Sequence, residues 1–155
     1  MVEFMDAHPR AGIIQGSLLV KNGEPGVDGT LNGCGAFLTP LGTTVTPSFL
    51  KPADDPAAQP PRQCFAAYGA MFMIRRGVVD STDGVLFYDF FHTYYEEVDF
   101  CHRAWLAGWE VWYVPTPIVE TSSIEMPASS TARLIAFAIS SKISFSSAKF
   151  ITLWL

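Results

Sequence analysis

Charge, cysteine and long apolar runs are what this sequence has little of. Charged residues are only 16% of the chain, with 10 Lys and Arg set against 15 Asp and Glu. The resulting net charge of -5 and pI of about 5.0 exclude a phosphate-backbone partner, so nucleic acid is set aside. Cys34, Cys64 and Cys101 are odd in number and widely spaced. They build neither a disulfide framework nor a CxxC metal site, which fits a reducing compartment. No apolar run reaches the roughly 18 residues a membrane span needs, and the first residues lack the basic start and apolar core of a signal peptide. The expectation is a cytoplasmic chain. P-loop, GxSxG, HExxH and GxGxxG patterns are missing, as is any internal repeat.

Apolar residues, by contrast, reach 49% of the 155. That length suffices for one domain with a real core. So apolar a composition with so little charge also implies a surface that meets a partner chain or a second copy.

In chain order, Val2 to Ala7 reads as the last turns of a helix stopped at His8-Pro9. Ala11 to Val20 reads as a buried strand. Lys21 to Pro61 is dense in Gly and Pro and predicts a long loop with one short hairpin, a length that in a compact domain is functional or mobile. Within it Asp54-Asp55, flanked by Pro52 and Pro56, reads as a solvated turn rather than a metal site. Phe65 to Arg76 predicts a strand entering a short helix, with Gly69 where another group comes close. Arg75 and Arg76 are expected to face solvent. Trp109 to Val114 is a strand ended by Pro115, and Ile118 to Glu120 a short edge strand. Residues 121–131 form a polar linker. Residues 132–155 suggest a helix of mixed polarity that packs on the domain, or lies against a partner or a membrane interface.

The densest chemistry lies in FFHTYYEEVDFCHR, residues 90–103. From Tyr95 to Ala107 there is no Gly or Pro, Val98, Cys101 and Trp105 recur at helical spacing, and Gly108 closes the helix. Glu96 and Glu97 fall in the first turn, where the helix dipole favours negative charge, and Asp99 can pair with Arg103 one turn on. First-turn acids also occur as plain helix grammar. The aromatics Phe90, Phe91, Tyr94 and Tyr95 point instead to a pocket wall, where partial desolvation suits a general base. Asp99 and His102 have metal-like spacing but occur once, with no partner motif, so no metal site is assigned.

The order of these motifs resembles the second half of family 2 glycosyltransferases, particularly rhamnosyltransferase-like members. GAMFMIRR, FFHTYYEEVDFCHR and the AGW to Val114-Pro115 strand carry the likeness. Met1 to Val20 is similar to the family segment just past the nucleotide-binding acidic motif. The resemblance spans residues 1–120 and implies a GT-A, Rossmann-like α/β fold without its N-terminal nucleotide-binding strands. It implies transfer of a sugar from a nucleotide-diphosphate donor to an acceptor hydroxyl of a glycan or lipid-linked acceptor, as in cell-surface glycan assembly. Glu97 would be the base. Glu96 and Asp99 would shape the acceptor pocket, Gly69 and Ala70 would lie next to the sugar, and Tyr94 and Tyr95 would stack on sugar rings. Arg103 matches the family's arginine in this set.

Two departures go with the match. The acidic DxD motif that holds Mg or Mn and the diphosphate would precede Met1, and Thr121 stands where the family often has a histidine ligand. The divalent cation expected of a complete member is therefore unsupported by this chain, which alone is expected not to transfer sugar. The rival expectation is a non-catalytic module that binds a glycan or a protein, through an edge the other half would cover, with membrane contact by residues 132–155 as a third.

Overall fold

The computed structural model describes residues 1–21, 25–91, 95–121 and 150–154, with the backbone alone for 116–121 and 150–154. The fold is mixed α/β. Helix α1 (Val2–Ala7) precedes the long strand β1 (Ala11–Val20). Next come β2 (Leu31–Gly33), the small hairpin β3 (Phe37–Leu38) and β4 (Thr44–Val45), a 3-10 turn at Pro56–Ala58, and β5 (Arg62–Gln63). Strand β6 (Met71–Arg75) runs into helix α2 (Arg76–Ser81). Helix α3 (Glu96–Leu106) is followed by β7 (Glu110–Thr121), and β8 (Phe150–Trp154) completes the described elements.

One sheet of six strands has the order β5-β7-β1-β6-β8, with β2 also paired to β1. It is mixed in direction: β1 runs parallel to β7 and antiparallel to β6 and β2. Strand β1 is central and buried nearly end to end, which its apolar run requires. Alternation divides its neighbours between two layers. Ile13, Phe72, Ile74, Val111 and Tyr113 pack on one face with Phe100, Cys101 and Ala104 of α3. Ile14, Met73, Trp112 and Val114 pack on the other with Met5 and Phe4 of α1. Gln15 and Ser17 are the polar exceptions on β1. Gln15 Oε1 accepts from Tyr68 N at 2.7 Å, and the Ser17 and Tyr113 hydroxyls share a 2.9 Å hydrogen bond.

Several expectations are corrected. Strand β7 does not stop at Pro115 but continues to Thr121, and Ile118 to Glu120 pair with central β1 instead of forming an edge. Between the pairs Gln15↔Tyr113 and Ser17↔Ile118, β1 advances two residues while β7 advances five. Pro115 and Pro117 lie in that bulge, where a missing N–H costs no ladder bond. The segment 65–70 is not strand: β6 begins at Met71, because Cys64 to Ala67 bond instead to Val111, Ala36 and Cys101. Arg75 does not simply face solvent; it donates to Met5 O at 2.9 Å and ties α1 to β6. Residues 150–154 form a strand parallel to β6, not the end of a helix. The β-branched and aromatic FITLW suits the ladder that β6 leaves open. The rest of the expected linker and helix, 122–149, lies outside the described residues. Among the described residues no helix is long and apolar enough to cross a membrane.

Candidate functional site

Helix α3 places the acidic motif. Its start is fixed by Tyr95, which takes a left-handed φ of 68° at the N-cap, a conformation costly for a bulky L residue. Its end is fixed by Gly108 at φ 87°, whose N–H bonds Trp105 O at 3.0 Å. Between these ends Phe100, Cys101 and Ala104 are buried, with Val98 and Trp105 packed beside them. The apolar face is therefore broader than the expected Val98, Cys101 and Trp105 stripe.

Between the N-terminal half of α3 and the β3–β4 hairpin lies a cleft of about 820 Å³, within the range of small-molecule sites. Leu38, Thr44 and Thr46 form the hairpin wall, and Phe65 and Tyr68 the floor. Tyr95, Val98, Asp99 and His102 line the cleft from the start of α3 onward, and Phe91 lines it from the preceding loop. A hydrogen bond of 2.5 Å between Tyr68 and Thr46 hydroxyls fastens floor to hairpin. A small annex of about 30 Å³ shares Thr44, Tyr68, Tyr95 and Val98 with the cleft and adds Glu97. It has room for one water. Glu97 thus lines the annex and not the cleft itself. Burial raises the Tyr68 phenol above its ordinary pKa, and the charges of Cys34 and Glu97 push it further the same way. Burial likewise pushes the Cys101 thiol up to about 12, with Glu97 again contributing.

The expected site residues divide into two groups. Tyr95, Glu97 and Asp99 come together on the cleft or its annex. Gly69 lies behind Glu97: a Cβ there would meet Glu97 Cβ at 3.6 Å, an ordinary contact, so crowding does not demand glycine. Ala70 is exposed, and neither it nor Gly69 lines the cleft. Glu96 turns into the interior at 7% exposure. Tyr94 lies outside the described residues.

Arg103 is a clamp rather than a cleft group. Its Nε donates to Asp99 Oδ2 at 2.8 Å, Nη1 to Val85 O at 2.7 Å and Asp83 Oδ1 at 3.1 Å, and Nη2 to Leu86 O at 3.0 Å. It also lies 4.6 Å from the Tyr88 ring centroid. This guanidinium, together with Phe87 packed edge-on against Phe100, holds the loop delivering Phe90 and Phe91 to α3. Asp83 closes the clamp by accepting from the Tyr88 hydroxyl. That bond holds the Asp83 carboxyl below its usual range and the Tyr88 phenol above its own.

No family model, no curated protein and no solved structure matches this chain. The site therefore speaks through its own geometry.

Asp55 accepts from Ala57 N at 3.1 Å and caps the 3-10 turn, as a solvated turn should. Among the described residues no group of three or more His, Cys, Asp and Glu could hold a metal. Asp99 is engaged by Arg103, and the His102 ring lies 6.0 Å from that of Phe65. Sequence reasoning missed the hairpin wall and Tyr68. The sequence predicts a short hairpin within residues 21–61, but nothing in the threonine-rich FLTPLGTTVTPSF marks it as a wall of the site.

Proposed function

We propose that the cleft binds a sugar or short glycan as an acceptor, and that the chain is the acceptor-side part of a GT-A, family 2-like glycosyltransferase. The observation that carries this reading is a cleft walled by aromatic rings and hydroxyls, with Glu97 on the small annex that shares Thr44, Tyr68, Tyr95 and Val98 with it. Aromatic faces take the C–H faces of a sugar, and hydroxyls exchange hydrogen bonds with its rim. In the reaction, Glu97 takes the proton of the acceptor hydroxyl as that oxygen bonds to the anomeric carbon. The bond from that carbon to the donor's diphosphate breaks, and the nucleoside diphosphate leaves with the electron pair, inverting the centre. Among the described residues no Lys or Arg lines the cleft, so its chemistry suits the neutral acceptor better than the diphosphate.

The test is saturation-transfer NMR of the full chain with a saccharide panel, followed by sugar transfer in a transfer-competent complex. Glu97→Gln should leave saccharide binding intact and abolish transfer. Unchanged turnover overturns the base assignment, and a panel with no binder overturns the cleft reading.

A non-catalytic binding module is favoured by one observation, the exposure of Leu38, Leu41 and Val45 on the hairpin, with Leu41 at 90%. Size-exclusion chromatography separates the cases: a monodisperse dimer or hetero-complex supports a module, and a monomer that binds saccharide supports the acceptor site.

A further inference from the structure

Phe90 is 68% exposed although it belongs to an ordered aromatic cluster. Its ring is stacked with Tyr88 at a centroid distance of 5.3 Å and an interplanar angle of 16°. It also lies 4.5 Å from the ring of Phe91, which lines the cleft. Tyr88 in turn sits under the Arg103 guanidinium and donates to Asp83, which Arg103 also holds. An exposed phenylalanine on a free loop would lose most of its binding energy to ordering, but here the ordering is already in place. The exposed ring is thus one ring contact away from the cleft lining.

We propose that Phe90 forms a second saccharide subsite, so that the acceptor is an oligosaccharide of at least two sugar units. One unit occupies the cleft and the next stacks on Phe90. The proposal rests on the acceptor reading of the cleft and specifies its substrate class. Tyr88 and Arg103 are positioning residues, since each acts through the ring that Phe90 presents.

The experiment titrates the full chain calorimetrically with paired probes: glucose and maltotriose, mannose and mannotriose, N-acetylglucosamine and chitotriose. For the sugar that binds, the trisaccharide should bind about tenfold more tightly than the monosaccharide, the worth of one added aromatic contact. Phe90→Ala should erase that gain while leaving the monosaccharide affinity unchanged, and Phe90→Trp should keep it. If the monosaccharide binds and the trisaccharide gains nothing, or Phe90→Ala keeps the gain, the subsite is overturned while the cleft reading stands. If no probe binds, the cleft reading falls and the subsite with it.

Discussion

Arg103 illustrates how one side chain can hold a site together without touching its ligand. Its donors span Asp99 on the helix and Asp83, Val85 and Leu86 on the loop. Arg103→Ala should therefore cost roughly 2–3 kcal/mol in urea unfolding, and Arg103→Lys should recover little, because an ammonium cannot reproduce the planar fork. The Asp83–Tyr88 bond adds a pH window. Asp83 is depressed, so its contribution is present above about pH 3.9 and is lost as pH falls through the lower folded value. Tyr88 is raised, so its contribution is complete below about pH 10 and declines as pH rises through the higher folded value. An NMR titration of the Tyr88 ring should show both limits, and Asp83→Asn should remove the acid one. Tyr95 carries strain instead of relieving it. Tyr95→Gly should raise stability by about 1 kcal/mol by freeing the left-handed φ, yet weaken saccharide binding by removing a cleft wall. A variant that is both less stable and fully competent would refute that division.

The elements around the cleft are set by close approaches. Strand β1 meets α2 and the start of β7 at Gly12, where a Cβ would lie 2.6 Å from Val78 Cγ2 and 2.9 Å from Trp109 Cβ. Gly12→Ala should overpack that layer and cost about 1–3 kcal/mol, read as a lower urea midpoint at unchanged m. The hairpin β3–β4 is anchored by Phe37, which packs on the core beside the Arg62 guanidinium, and its far side is tied by the bond between Thr46 and Tyr68. Tyr68→Phe should lose about 1 kcal/mol and show faster hydrogen exchange across 37–46, while the sheet stays protected. Equal exchange in hairpin and sheet would show that the wall is held by something else.

Across the molecule, all three cysteines are free and buried. Burial raises the Cys64 and Cys101 thiols, so both stay protonated at neutral pH. Their contribution to stability is complete below about pH 8.5 and declines as pH rises toward the folded values. Native protein at pH 8 should therefore react with an aromatic disulfide reagent far more slowly than a free thiol does, and should release all three thiols in denaturant. Rapid native labelling of Cys64 or Cys101 would mean that the layer between α3 and the sheet opens easily.

Much of this was legible in the residues alone. The AGIIQGSLLV run specifies a buried strand because it offers neither face to water. First-turn acids and Gly108 bound α3 because dipole and left-handed φ act locally. Tyr95 and Asp99 share a helix face because they are four residues apart, whereas Glu97, two residues from each, reaches the annex through tertiary packing. Other features depend on groups far apart in sequence. Strand β7 crosses Pro115 because β1 tolerates a bulge there, and Arg103 turns from a possible ligand group into a clamp because the 82–86 loop carbonyls converge on it. The cleft exists only where residues 38–49 fold back over α3. Periodicity and capping report nearest neighbours along the chain; a cavity is made of surfaces brought together across it.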